Sequence, residues 1–362
     1  MRAFVISGPG QAAVRDIEPP EPGPGQVVVD VERAGVCGTD VEFFTGHMVY
    51  LRTGEARYPV RIGHEWCGVV TRAGDEASAA WLGQRVTGDT MLGCGHCHRC
   101  RSGRQHLCAD RFEIGIRGGW PGALAEQLLV PASALLPLPD RIGATAGALV
   151  EPGGNALRAV RAALASTVEA GTAEGGTLEA GTVEAGTVEA GTGQRLLVMG
   201  PGTIGLLAAL IARARGAEVH LLGPDDRSLR FARSLGFGQA WVRGTLPRVP
   251  FDAVIDASTG VELPALAAEL VEPGGRISYI GLSAEPSLLD TRTLVLKDVT
   301  ATGVLSASGG LAETISLYAD GAVDPEPIVA ATVGLDDVAT VLAGRRPPEW
   351  GDAPKVHIDP RR

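Results

Sequence analysis

The chain has 362 residues, 45% of them hydrophobic and 20% charged, a balance that supports folded cores and excludes a disordered composition. Its length exceeds what a single core usually organises, so two domains are expected. A formal net charge of −10 without any basic block argues against nucleic acid or an anionic membrane surface as a partner. No apolar run is long enough to span a bilayer, and the turn at Gly8-Pro9 comes too early for a signal-peptide core, which points to the cytoplasm.

Residues 1–150 are rich in Gly and Pro and carry short β-branched runs such as Gln26-Val27-Val28-Val29-Asp30-Val31, so this half reads as mostly β. From Glu151 the pattern changes. Asn155 to Leu164 has helical spacing, and alternating strand and helix signals follow to about Leu296, which implies a parallel sheet. Its strands are expected at Arg195–Met199, Glu218–Leu222, Ala253–Asp256 and Arg276–Ile280, each short and apolar as doubly buried strands are. Between helix and first strand, residues 167–191 repeat a Thr-x-Glu-x-Gly pentad. A five-residue period matches neither helix nor strand and leaves no continuous apolar face, so a solvated loop is expected there. The tail from about Thr300 returns to irregular β and helix signals, as if packing back on the first domain.

Six cysteines are present, and Cys94, Cys97, Cys100 and Cys108 crowd into fifteen residues. That crowding suits metal binding in a reducing compartment better than a disulfide framework. Four thiolates closing on one ion describe a structural zinc with no open position for substrate, and an iron–sulfur cluster is the competing use of four cysteines. The nearby His96, His98 and His106 read as solvated lobe residues. Three further segments, Gly35-Val36-Cys37-Gly38-Thr39-Asp40, Gly63-His64-Glu65-Trp66-Cys67-Gly68 and Leu149-Val150-Glu151-Pro152-Gly153-Gly154, each carry metal-ligating residue types. A lone Cys or His is more often packed core than ligand; their joint occurrence, in this order and ahead of a nucleotide fingerprint, favours a second metal site.

That fingerprint is Gly200-Pro201-Gly202-Thr203-Ile204-Gly205, set between the strand ending at Met199 and the apolar helix beginning at Leu206. The first glycine permits the tight turn, the second lets a pyrophosphate approach the backbone, and the third lets the helix pack on the strand. A phosphate there meets free N–H donors and roughly half a positive charge. An acid about 20 residues further on would bind ribose hydroxyls, but Gly223 stands at that position. Arg227 and Arg230 follow and suit a 2′-phosphate, which favours NADP, while Asp225 or Asp226 leaves NAD open.

Taken together and in this order, these motifs resemble the zinc-containing medium-chain dehydrogenases over nearly the whole chain, the pentad loop excepted. The resemblance implies a GroES-like, mostly antiparallel β catalytic domain in residues 1–152, with a structural-zinc lobe at 90–110. It implies a Rossmann-type, doubly wound α/β coenzyme domain in 153–298, interrupted by the low-complexity loop 166–193, and a return to the catalytic domain in 299–362. Two zinc ions per chain are implied, one held by the four lobe cysteines and one catalytic. Cys37 and His64 resemble the fixed ligands of the catalytic zinc, and Glu65 and Glu151 compete for the remainder. Glutamate at the Glu151 position is similar to the sorbitol, glucose and threonine dehydrogenases, where the alcohol dehydrogenases of the family carry cysteine. Cys67 is not expected to be a ligand.

Thr39 matches the family's proton-relay hydroxyl, and Asp40 a carboxylate that orients the zinc histidine. Where several relatives carry histidine two residues past the aspartate, this chain has Glu42, suited to hydroxyl or ammonium groups of a substrate; His47 is a second substrate candidate. Lys355 resembles a basic position near the pyrophosphate. The implied activity is hydride transfer between NAD(P) and the secondary alcohol or ketone of a polyol, sugar or aminocyclitol. A sugar 1-dehydrogenase, an amino-alcohol dehydrogenase of the threonine type, and a non-catalytic NADP-binding protein on the same scaffold are the alternatives, and a homodimer or homotetramer is implied.

Overall fold

The computed structural model describes residues 1–165 and 193–362, so the pentad repeats and the loop expected there lie outside the described residues. The first part of the chain carries β1 (Arg2–Gly8), β2 (Gln11–Asp16), β3 (Gln26–Val36), β4 (Glu65–Ala73), β5 (Arg85–Gly88), β6 (Met91–Leu92), β7 (Phe112–Glu113), β8 (Gln127–Pro131) and β9 (Leu135–Pro137). The middle carries β10 (Arg195–Met199), β11 (Glu218–Gly223), β12 (Ala240–Val242), β13 (Phe251–Asp256), β14 (Val271–Tyr279) and β15 (Thr300–Gly303). The end adds β16 (Val329–Val333) and β17 (Lys355–Ile358).

These elements divide into two compact units. Met1–Arg158, Gly202–Leu210 and Val304–Arg362 form the first; Ala159–Pro201 and Ile211–Gly303 form the second. The first unit is built on a seven-stranded sheet in the order β16-β17-β3-β4-β5-β9, with β8 also pairing β3. Apart from the parallel β16–β17 pair its ladders are antiparallel. Val27, Val29 and Val31 of β3 alternate into a core with Phe4, Phe43, Trp66 and Leu128, while Val28, pointing to the other face, is buried as well, so this central strand is covered on both sides there. Pairing of Val356 with Val36 and His357 with Gly35 puts the C-terminal strand beside the end of β3, immediately before Cys37.

The second unit is a six-stranded sheet in the order β12-β11-β10-β13-β14-β15, parallel throughout. Counted along the chain this is 3-2-1-4-5-6, the doubly wound order with its reversal beside the first strand. Leu196 to Met199 are wholly buried, as a central strand covered on both faces demands. Two strands escape the sequence reading. Ala240–Val242 is only three residues long, and Thr300–Gly303 is an exposed edge strand without the apolar run of its neighbours. The parallel sheet therefore extends to Gly303, beyond the expected boundary at residue 298. Among the described residues no helix is long and apolar enough to cross a membrane.

Candidate functional site

β3 ends at Val36, and Cys37 caps the N-terminus of the helix Gly38–Thr45. The cap is closed by Asp40, whose Oδ2 accepts the Cys37 N–H at 2.9 Å while its Oδ1 accepts the Gly63 N–H at 3.2 Å. The same carboxylate therefore fixes the segment that carries Cys37 and the one that carries His64. It is fully buried, and burial raises its pKa against the opposing effects of His64 and the Cys37 N–H. His64 Nε2 lies 3.3 Å from Cys37 Sγ, and His64 Nδ1 lies 3.9 Å from Asp40 Oδ1. Thr90 Oγ donates to the His64 carbonyl at 3.2 Å.

Ligating atoms of Cys37, His64 and Glu65 all fall within 4.8 Å of one another. Bond lengths of about 2.3 Å to sulfur and 2.0–2.1 Å to nitrogen put tetrahedral S and N ligands of one zinc roughly 3.6 Å apart, close to the observed separation. Glu151 does not belong to that cluster, though it is near enough to act electrostatically on His64. It sits buried in the first turn of the helix Val150–Leu164, where Asn155, one turn on, donates to its Oε1 at 2.8 Å. Burial pushes its pKa up to about 7. Burial likewise raises the Cys37 thiol, while for His64 the burial penalty is outweighed by Cys37, Asp40 and Glu151, which hold the imidazole well above its ordinary value. Three carboxylates and a thiol facing a single ammonium make a surroundings that favours a dication.

That ammonium is Lys355. Rather than reaching toward a coenzyme, as the resemblance implies, it is buried with Nζ donating to Glu65 Oε1 at 2.8 Å, Glu65 Oε2 at 2.6 Å and the Val36 carbonyl at 2.9 Å. The pairing of β17 with β3 carries it there, and all three of its donors are used. Gly35 makes room: a Cβ at that position would lie 2.0 Å from Glu65 Oε2. Cys67, in contrast, donates from Sγ to the Ala144 carbonyl at 3.2 Å, with burial pushing its pKa up to about 12.

Glu42 and Thr39 stand three residues apart on the Cys37 helix, so they share one of its faces. Glu42 is partly buried, and burial raises its carboxyl against the effects of His47 and Arg52. His47 is exposed, with Nδ1 3.2 Å from Thr45 Oγ.

In the lobe, the sulfurs of Cys94, Cys97, Cys100 and Cys108 lie within 4.8 Å of one another, with Cys94–Cys100 at 4.0 Å and Cys97–Cys108 at 3.9 Å. One tetrahedral ion with bonds of about 2.3 Å needs sulfurs roughly 3.8 Å apart. The spacing fits a single ion, leaves no room for the body of an iron–sulfur cluster, and is far too long for disulfides; all six cysteines are free. The N–H of Cys97 donates to Cys94 Sγ at 3.4 Å and is the first cause of a Cys94 pKa lowered to about 6. His96 and His98 are exposed, but His106 is buried. Its Nε2 is 3.5 Å from the Arg158 guanidinium, and burial and that cation lower its pKa, so the expectation of a solvated histidine fails at this position.

At the fingerprint, Gly200 has φ 91°, and its N–H donates to the Leu222 carbonyl at 2.9 Å, which locks the turn between β10 and the helix Thr203–Ala214. Gly202 has open space around it, Thr203 and Ile204 open the helix, and Gly205 is buried in its first turn. Gly223 ends β11, where a Cβ would meet Leu229 at 2.8 Å and Pro201 at 3.1 Å. Asp225 caps the helix Asp226–Ser234 through Ser228, whose N–H and hydroxyl both donate to Oδ1. Arg227 and Arg230 are exposed on that helix. The sequence reading did not find Asn155 and Thr90. Asn155 is detectable in principle, four residues after Glu151 on one helix; Thr90 carries no local signal.

Comparison with known proteins agrees with this architecture. Residues 23–140 match the alcohol dehydrogenase GroES-like domain, and residues 203–320 match the zinc-binding dehydrogenase domain. An L-threonine 3-dehydrogenase of Deinococcus deserti is 30% identical over 337 residues, 89% of each chain, and one from Deinococcus radiodurans is 28% identical over 353 residues. Among solved structures, a zinc-binding dehydrogenase from Sinorhizobium meliloti 1021 bound to NADP superposes with a TM-score of 0.82 at 26% identity, covering 99% of both chains. An alcohol dehydrogenase from E. coli CFT073 complexed with NADH shares the fold at the same TM-score and 24% identity. The chain belongs to the zinc-binding, medium-chain alcohol dehydrogenases, with their GroES-like and Rossmann-type domains. It is an oxidoreductase of the dehydrogenase type, linked to a nicotinamide coenzyme.

Replacing Lys355 by Met leaves the Glu65 carboxylate buried without its cation. In metal-free protein this substitution is expected to lower the unfolding free energy by about 3–5 kcal/mol in a urea titration, and the pair of changes Glu65→Gln with Lys355→Met should restore much of the loss. An unchanged midpoint for Lys355→Met alone would show that the pair contributes nothing to the fold.

Proposed function

We propose that this protein oxidises the secondary carbinol of a small polar substrate that carries a hydroxyl or ammonium group beside the reacting carbon, passing hydride to NADP. The observation that carries the substrate class is Glu42, a partly buried acid on the face of the Cys37 helix that also bears Thr39. A carboxylate so placed accepts hydrogen bonds from vicinal hydroxyls or pairs with an ammonium, and it disfavours a plain aliphatic chain. The names of the threonine dehydrogenase relatives support an amino alcohol among the polyols, sugars and aminocyclitols that fit this chemistry.

Cys37 and His64 are proposed to hold the catalytic zinc, with Glu65 or Glu151 completing the shell, and the four lobe cysteines to hold a structural zinc. Bound there, zinc supplies Lewis acidity that makes an alcohol proton acidic near neutral pH. Asp40 keeps the His64 imidazole in place from its Nδ1 side, the Thr39 hydroxyl accepts the substrate proton and hands it on, and Glu42 orients the neighbouring substituent. Glu65 is neutralised by Lys355, whereas Glu151 accepts a hydrogen bond from the neutral Asn155, so Glu151 is the carboxylate freer to change partners. The preference for NADP rests on Gly223 in place of an acid, on an Asp225 engaged in its cap, and on Arg227 and Arg230 beside it; the coenzyme phosphates are assigned to the turn Gly200–Gly205.

Metal analysis should return two zinc ions per chain for the wild type and about one for Cys37→Ser, the latter inactive but folded. Cys97→Ser should also lose one ion, and with it several degrees of Tm, because a closed cysteine site contributes folding energy. One zinc per wild-type chain would remove the catalytic assignment.

Coenzyme reduction across a panel of L-threonine, aminocyclitols, polyols, aldoses and simple secondary alcohols tests the substrate class. Activity is expected on the polar members, with kcat/KM for NADP at least tenfold above that for NAD, and Glu42→Gln should raise KM for the preferred substrate about tenfold or more. Turnover confined to simple alcohols, or unchanged constants for Glu42→Gln, would refute the reading.

We also infer a homo-oligomer, with a dimer as its smallest unit. β15 leaves one edge of the parallel sheet open, and Leu282, Leu288, Val295 and Leu296 beside it in sequence are 77%, 91%, 78% and 86% exposed. A two-fold axis at such an edge pairs the strand with its own copy and covers the leucines. Light scattering should give at least twice the chain mass for the wild type and a smaller species for Leu288→Asp with Leu296→Asp; a wild-type monomer would end this inference.

A further inference from the structure

In the first unit, the segment Ala56–Arg61 and the loop Ile116–Pro121, with Val5 and Ile17, line a half-open pocket of about 240 Å³ to which none of Cys37, His64 and Glu65 contributes. The Gly122 N–H donates to the Arg61 carbonyl at 2.7 Å and Ile6 bridges Val60, so both walls are tied to the sheet. Trp120 closes one side, its indole N–H held by the Leu129 carbonyl at 2.9 Å. Most of the lining is apolar, and none of it is acidic.

Two arginines break that pattern. Arg61 is largely buried, yet no hydrogen bond or ion pair reaches its guanidinium among the described residues, and its Nε is wholly enclosed without a partner. Burial is the single influence on its pKa, which falls to about 10, whereas neighbouring Arg111 and Arg117 each pair with a glutamate. Arg57, at the same pocket, is exposed and among the described residues has no ion pair. A buried N–H without an acceptor is costly, and among the described residues the fold offers this guanidinium no carboxylate.

We propose that this cavity binds a small organic carboxylate with an apolar body, its carboxylate gripped by Arg61 and Arg57 and its hydrocarbon packed against Val5, Ile17 and Trp120. Guanidinium matches a carboxylate in a planar, bidentate fork, and two of them without an acid nearby select an anion. A volume below the ~300–1,000 Å³ of drug-sized sites restricts the guest to a short chain or a single ring. The site uses no residue of the metal centre, so it stands or falls separately from the substrate assignment.

The zinc-loaded full-length protein should be titrated calorimetrically with hexanoate, hexan-1-ol and acetate, alongside Arg61→Gln and Arg57→Gln. Hexanoate is expected to bind at least tenfold more tightly than hexan-1-ol or acetate. Arg61→Gln should weaken hexanoate at least tenfold while keeping a ligand-free Tm at or above that of the wild type, since it removes an unpaired buried cation. Arg57→Gln, at an exposed position that cannot disturb packing, should weaken it severalfold. No hexanoate binding, equal affinity for hexan-1-ol, or hexanoate affinity unchanged in both variants would overturn the proposal, the last by placing the ligand at the metal site instead.

Discussion

The open site depends on one buried carboxylate. Asp40 accepts the amide N–H of Cys37 with one oxygen and that of Gly63 with the other, so two segments 23 residues apart are locked at a fixed offset. The β3–β4 ladder, with Gly35 opposite Glu65, brings the Cys37 and His64 segments side by side, and the Asp40 bridge ties them together just past the last ladder pair, where the Cys37 sulfur and the His64 imidazole lie 3.3 Å apart. Burying a carboxylate costs free energy, as the upward push on its pKa shows, and the two amide donors together with the nearby imidazole offset it.

A second bridge comes from the far end of the chain. Glu65 and Lys355 are 290 residues apart, and their ion pair exists only because β17 runs antiparallel beside β3. Gly35, with no side chain, lets the Glu65 carboxylate lie against β3. The lobe is organised on the opposite principle. Its four sulfurs come from fifteen consecutive residues, with backbone amides donating to three of them, so a short loop can close on an ion by itself. Under the proposed catalytic assignment the contrast has a reason: a continuous loop wraps its ion, whereas a site that takes a substrate needs a coordination position left open, which ligands drawn from separate segments can leave.

That difference also decides what was legible in the sequence. The lobe, the glycine turn and the central strands are encoded over a few residues each, and Arg195–Met199 forms the strand that its apolar run indicates. The partner of Lys355 is set by tertiary pairing alone, and the family resemblance implies a coenzyme phosphate for it instead. His106 sits among arginines and reads as solvated, yet the chain folds Arg158 back over it. Thr300–Gly303 has no apolar run to mark it, for a physical reason: an edge strand has one neighbour in its own sheet, and its side chains are largely exposed in the single chain. Glu151 is legible by motif, but its separation from the three-residue cluster is not, since Glu151 stands on the helix Val150–Leu164, far along the chain from Cys37, His64 and Glu65.

The end of β11 shows how packing can dictate chemistry by exclusion. The position at which a ribose-binding acid would stand is filled by Gly223, where any Cβ would press on Leu229 and Pro201. An acid there would require the end of the Leu229 side chain to swing aside and Pro201 to give by a few tenths of an ångström. Asp225, two residues on, has one oxygen committed to the Ser228 amide and hydroxyl, which stabilises the helix N-terminus. Under the proposed preference for NADP, discrimination then falls to the exposed guanidinium groups of the first helical turns, Arg227 and Arg230. Selectivity so constructed rests on attraction for a phosphate rather than on a strand-end carboxylate that rejects it, and it should weaken as salt screens the exposed charges.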